Sequence, residues 1–192
     1  PRMASFRKSD LQGSNQMKMK KFNMFMVIFT ILLSLSGCSG INESNIGQVV
    51  RFGHYTVEEN SDGNDPLEWI ILDYDHGKVL LLSRYSVDMK CFIEHPENGS
   101  ENWEGSSLRK WLNEDFYNSA FTDSEKKNIV LSYVKNEDVE GPDRYLQQTV
   151  AEAGNDTKDY LFLLTADEAD KYLKEEKIRV GELTPKAKAD YG

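Results

Sequence analysis

Apolar residues along this chain fall into one long run near the amino terminus and several short runs separated by polar, often acidic stretches. The long run, Phe22 to Leu35, has 14 residues and is nearly unbroken. Further on, Val49 to Tyr55, Glu68 to Asp73 and Lys78 to Ser83 are rich in β-branched and aromatic residues and read as strands. The last two flank Asp75-His76-Gly77, where a glycine able to take positive φ marks a hairpin. Apolarity in Val79-Leu80-Leu81-Leu82 is continuous rather than alternating, which predicts a central strand covered on both faces. Helices or a second layer must then lie over the sheet.

Ser106 and Ser107 are good caps, and Leu108, Trp111, Leu112 and Phe116 at i, i+3, i+4 and i+8 make one apolar helix face. Thr122-Asp123-Ser124-Glu125 is a capping box that predicts a short helix through Ile129 and Val130. Tyr160 to Leu164 reads as a strand ending at a second box, Thr165-Ala166-Asp167-Glu168, whose helix carries Ala169, Tyr172 and Leu173. Pro185 closes the ordered pattern. The order β-β-β-α-α-β-α has no internal repeat and no βα alternation. It predicts an α+β domain with a small mixed or antiparallel sheet and two to three short helices.

Lys18, Lys20 and Lys21 form a basic flank before the long run. A spanning helix needs about 20 apolar residues, so the shorter run reads as the core of an export signal occupying residues 1 to 37. Leu35-Ser36-Gly37-Cys38 resembles the lipobox of bacterial lipoproteins. The resemblance implies cleavage between Gly37 and Cys38, acylation of the Cys38 thiol with fatty chains such as palmitate, and anchorage to the extracytoplasmic face of the bacterial cell membrane. The alternative is a buried hydrophobic helix that ends in a cysteine. Residues 1 to 16 lack periodicity and displace the basic flank, so they read as upstream sequence, with the natural start at Met17 or Met19. Residues 38 to 46 then hold the lipidated Cys38 and a polar tether, and 47 to 192 form a single domain.

Composition narrows the partners. With 23 Lys+Arg against 32 Asp+Glu the chain carries a formal charge of −9. Loss of residues 1 to 37 removes six bases and one acid and leaves a charge near −14. Such a surface repels nucleic acid and anionic lipid, so attachment to the bilayer falls to the acyl chains on Cys38. An aromatic content of 11% supplies a core and argues against a disordered chain. Two cysteines exclude a disulfide scaffold. No CxxC, HExxH, GxSxG, P-loop or GxGxxG pattern is present, so no catalytic residue, metal site or cofactor is assigned.

Several stretches resemble the bacterial family known as domain of unknown function 6273. They are Val50-Arg51-Phe52-Gly53-x-Tyr55, Leu67-Glu68-Trp69-Ile70-Ile71-Leu72, Val79-Leu80-Leu81-Leu82-Ser83-Arg84-Tyr85, Trp103-Glu104-x-Ser106-Ser107-Leu108-Arg109-x-Trp111-Leu112-Asn113, Phe116-Tyr117-x-x-Ala120-Phe121 and Thr157-x-Asp159-x-x-Phe162-Leu163-Leu164. They run in order from about Gly47 to Tyr172. The resemblance implies a layout like the C-type-lectin-like folds that also host formylglycine-generating enzymes, an analogy of architecture that assigns no activity. Family members continue with a Trp-rich and an Arg-Pro segment not found here. The expectation is therefore a short member or a chain that lacks closing strands.

Trp103 lies in a polar loop and reads either as a platform for a sugar ring or peptide, or as a plug against the core. Arg109, beside the helix face, is expected to pair with an acid such as Glu104 or Asp115 in a solvated ion pair. Glu58 to Asp65 and Gly154 to Asp159 offer hard oxygens but lack the EF-hand register, and solvated loops are the favoured reading. His54, His76 and His95 have no ligand or triad spacing, and Cys91 reads as a small buried side chain rather than a nucleophile. The leading functional expectation is a lipid-anchored surface module that binds a glycan or cell-wall ligand, with Trp103 and Arg109 as candidate ligand-binding residues. The alternatives are part of an enzyme domain and a structural component of the envelope.

Overall fold

A computed structural model of the chain describes residues 24–26, 29–34, 41–93, 102–136, 154–173 and 182–189. In chain order it forms β1 (Met24–Met26), β2 (Thr30–Ser34), β3 (Val49–Tyr55), β4 (Asp65–Asp75), β5 (Lys78–Ser83), β6 (Tyr85–Ser86) and β7 (Met89–Cys91). Then come α1 (Ser107–Trp111), α2 (Tyr117–Ala120), α3 (Asp123–Lys126), β8 (Ser132–Val134), β9 (Thr157–Asp159), β10 (Leu161–Phe162), α4 (Ala166–Tyr172), β11 (Glu182–Leu183) and α5 (Pro185–Ala189). Five strands lie side by side in the order β10-β2-β5-β4-β3, antiparallel throughout. Strands β1 with β7 and β8 with β9 make short antiparallel pairs, and β11 pairs with β6 in parallel. The class is α+β, as the hydrophobic pattern predicts.

The β4–β5 hairpin turns at His76 and Gly77, both at positive φ, with Asp75 opposite Lys78. Two successive positive-φ residues are the signature of a two-residue turn whose twist matches its strands. Strand β5 is central, with β2 on one side and β4 on the other. Its Val79 and Leu81 enter the main core with Trp69, Phe116 and Leu161, while Leu82 joins Leu72 and Leu173 in a second cluster. Tyr172 and Ala169 of α4 pack on that second cluster, so the continuous apolar run is covered on both faces.

Ser106 caps α1 by accepting a hydrogen bond from the Arg109 N–H, and Leu108, Leu112 and Phe116 are buried on one face. The helix passes through a π-helical stretch, Leu112–Phe116, into α2. Both capping boxes form, at Thr122 with Glu125 and at Thr165 with Glu168. Three local expectations are corrected. The helix after Thr122 stops at Lys126, because the backbone of Asn128 and Val130 bonds to Ser34 and Leu32 of β2 and Ile129 bridges to Leu33. Within Tyr160 to Leu164, only Leu161 and Phe162 are strand. Pro185 opens a helix rather than closing the pattern: it stands at the first helical position, where its missing N–H costs nothing, after Thr184.

The largest departure lies in the apolar run read as an export signal. Thr30–Ser34 forms β2 between β10 and β5, in register from Thr30 opposite Leu82 to Ser34 opposite Lys78. Phe29 and Ile31 are fully buried and Leu33 nearly so. Large apolar side chains at alternate positions suit a strand as well as a signal core, since both demand hydrophobicity and neither demands charge. In this structure the five-stranded sheet includes residues upstream of Gly47. Gly37 and Cys38 lie outside the described residues. No helix among the described residues is long and apolar enough to cross a membrane.

Candidate functional site

Trp103 and Arg109 meet at one carboxylate. Asp159, on β9, is 1% exposed in its side chain, and its oxygens accept hydrogen bonds from Trp103 Nε1 at 2.9 Å, Arg109 Nε at 2.7 Å and Thr157 Oγ1 at 2.6 Å. A buried carboxylate is tolerated when a cation and further donors satisfy it, and here all three are supplied. The Trp103 ring packs on the main core near Phe92. One turn after Arg109, the Asn113 amide clamps β10, accepting from Tyr160 N and Leu161 N and donating to Leu161 O. This node ties the loop before α1, the helix and β9–β10 together. Arg109 is expected from the sequence to pair with Glu104 or Asp115; its carboxylate is Asp159 instead, with a further bond from Nη1 to the Glu104 carbonyl oxygen.

The acidic loops turn their oxygens inward on the backbone. Asp65 Oδ2 accepts from Val57 N and Glu58 N, and Asp62 Oδ1 from Asn64 N. Glu104 holds the second loop through Asn155, whose backbone and side-chain N–H groups keep the Glu104 carboxyl below its ordinary range. Asp156 accepts from the Tyr133 hydroxyl and from Asn136 N. Among the described residues no three His, Cys, Asp or Glu side chains converge as a metal-binding group. His54 is exposed, His76 touches its neighbour Asp75, and His95 lies outside the described residues. Cys91 is half-buried on β7.

A cleft of about 460 Å³ lies towards the β3 edge of the sheet, between β3–β4, the β6 strand and the β11–α5 segment. Its walls form because β11 pairs with β6, Thr184 N donates to the Ser86 carbonyl and Lys186 N to the Val57 carbonyl. Leu67, Val87 and Leu183 supply apolar lining, Tyr85 an aromatic ring, and Arg51, Glu68, Asp65 and Lys188 charge of both signs. Glu68 is held between two guanidinium groups, Arg51 Nη2 at 3.2 Å and Arg84 Nη1 at 2.7 Å. The Ser61 hydroxyl and the Glu58 and Val57 N–H groups stabilise the Asp65 carboxylate and hold its pKa below the ordinary value. A concave site with apolar lining and a few placed polar groups suits a small polar ligand. Sequence reasoning weighed Asp65, with Glu58 and Ser61, only as part of an acidic loop and singled out none of the other residues named here, since Arg51 and Lys188 lie far apart in the chain.

The fold and this geometry define a small α+β domain with an antiparallel sheet, a buried Trp-Arg-Asp node and a polar cleft. The family model described as Domain of unknown function (DUF6273) matches residues 76–190, more than half of the chain, and the protein belongs to that family. No curated protein and no solved structure matches it.

Proposed function

We propose that this protein is an exported lipoprotein, anchored through acylated Cys38 to the extracytoplasmic face of a bacterial membrane, whose domain binds a glycan or cell-wall ligand in the cleft beside Tyr85. The observation that carries the reading is the cleft itself: an aromatic ring and paired charges over apolar walls, the combination that sugar rings and short peptides use. None of its lining residues lies within residues 1–37, so processing before Cys38 leaves the site's own residues in place. The basic flank, the apolar run and Leu35-Ser36-Gly37-Cys38 support export and anchorage. Trp103 and Arg109 act here as positioning residues, because their polar groups are engaged by Asp159.

The test is saturable binding to a soluble peptidoglycan digest and to an array of glycans. Tyr85→Ala weakens binding by about tenfold or more while the melting temperature stays within a few degrees. Absence of saturable binding across both probes, or equal binding by the Tyr85→Ala variant, overturns the cleft as a site. Mass spectrometry of Cys38 from a bacterial host tests the anchor separately.

A further inference from the structure

We infer that the ligand of the cleft beside Tyr85 is a short zwitterionic peptide, one that carries both an ammonium and a carboxylate group, and not a neutral glycan. The inference deepens the reading of that cleft as the binding site and rests on it. It starts from which of the lining charges are already satisfied. Arg51 and Arg84 share the Glu68 carboxylate, and Asp65 is turned onto the N–H groups of Val57 and Glu58. Charges of both signs are left over. Among the described residues, the side chains of Glu58, Glu182 and Lys188 form no ion pair and no hydrogen bond, and all three are exposed in the lining of the cleft.

Strand pairing puts one of these acids beside the aromatic ring. Glu182 stands opposite Tyr85 in the parallel β11–β6 register, so the two side chains leave their strands on the same face, and both line the cleft. The Arg84 guanidinium lies over the Tyr85 ring, 5.1 Å from its centroid, with its charge met by Glu68. The open groups on this side are therefore the Glu182 carboxylate and the Tyr85 hydroxyl, both acceptors for an ammonium group. Lys188 reaches the cleft from α5, where its N–H donates to the Thr184 carbonyl and the Thr184 N–H in turn to the Ser86 carbonyl. Its ammonium offers only donors, which suit a carboxylate. Leu67 and Val87, both buried, give apolar wall for the uncharged body of a peptide. A neutral glycan seated here would take water from these charges and return no opposite charge, a cost that a zwitterion offsets at both signs.

The test is equilibrium dialysis of the full chain against defined probes, read by mass spectrometry. The probes are tripeptides with uncharged side chains and free ends, tripeptides with both ends capped that carry one Lys and one Asp, and an N-acetylglucosamine tetramer. Saturable retention of peptides from either set is expected, and the set that binds tells main-chain charges from side-chain ones. Removing one charge from a retained peptide, by acetylating or amidating an end or by exchanging its Lys for Gln or its Asp for Asn, weakens it by about tenfold. A chain carrying both Glu58→Gln and Glu182→Gln loses the preference for the ammonium, and Lys188→Ala loses the preference for the carboxylate. These side chains are exposed, so the melting temperature of each variant stays close to that of the wild type. Retention of the tetramer alone, abolished by Tyr85→Ala, overturns the inference and leaves the cleft standing as a site. Retention of no probe removes the cleft and the inference together. Peptide binding that is indifferent to both charge variants also overturns it.

Discussion

The indole nitrogen of Trp103 donates to the carboxylate of Asp159 across 56 residues of chain, and the same carboxylate holds Arg109. Because Asp159 is nearly sealed from solvent, each donor matters more than a surface contact would. Arg109→Met keeps the side-chain length and removes the cation, and it is expected to destabilise the domain by about 3 kcal/mol, the scale for leaving a buried charge unpaired. Trp103→Phe, which loses one donor but keeps a ring, is expected to cost about 1–3 kcal/mol. Urea denaturation of both variants checks the order. A larger loss in Trp103→Phe than in Arg109→Met would place the energy in packing and not in the charge.

Two glycines test how backbone conformation and space combine. Gly77 stands at φ 77° in the β4–β5 turn with nothing within 4 Å of an added Cβ. Gly77→Ala is therefore expected to cost only the conformational penalty, about 1 kcal/mol. Gly53 stands at φ 75° where an added Cβ would meet Phe121 Cε1 at 2.5 Å and the Ala120 carbonyl oxygen at 2.9 Å. Gly53→Ala adds overpacking to the same penalty and is expected to cost about 3 kcal/mol. Phe121→Leu in the same chain recovers only part of it, because the Ala120 carbonyl remains. Melting temperatures of the three variants give the comparison.

Acid is expected to loosen α4 from the sheet. The Tyr172 hydroxyl donates to Asp73 Oδ2 at 2.7 Å, and this bond, aided by the Tyr74 N–H and Lys171, holds the Asp73 carboxyl below its ordinary range. With a folded pKa below the unfolded one, the folded state binds fewer protons. The contribution is complete above about pH 4 and is lost as pH falls through the folded value. Asp65 behaves in the same sense at the cleft. Urea midpoints at pH 6 and pH 3 are expected to differ less in Asp73→Asn than in the wild type. Equal differences would remove Asp73 from the acid response.

The Arg51–Glu68–Arg84 arrangement predicts a different response at the cleft. Glu68→Gln leaves two guanidinium groups without their shared anion, yet Arg51 and Arg84 are largely exposed. Solvent screens them, so the loss of stability is expected to stay below about 1 kcal/mol. Binding of an anionic ligand in the cleft should strengthen and that of a cationic one weaken, measured by titration calorimetry with a peptidoglycan digest separated by charge. A large drop in melting temperature instead would make the triad a structural clamp.

Much of this protein is legible within short stretches of its sequence. The His76-Gly77 turn, the two capping boxes, the buried face of Leu108, Leu112 and Phe116 and the central place of β5 each depend on residues a few positions apart, where spacing and side-chain chemistry act directly. The family match spans residues 76–190 and includes the Trp103 to Asn113 block on which the resemblance rests. Tertiary structure alone decided where the helix after Thr122 ends, because Asn128 and Val130 pair with a strand almost a hundred residues earlier in the chain. It decided that Arg109 pairs with Asp159, a choice among many acids that spacing does not rank. It assembled the cleft from Arg51, Tyr85 and Lys188, which no local pattern joins. The segment from Phe29 to Ser34 shows the limit most clearly: its hydrophobicity is fixed by sequence, but whether that hydrophobicity faces a membrane or the space between β5 and β10 depends on what else is there to cover it.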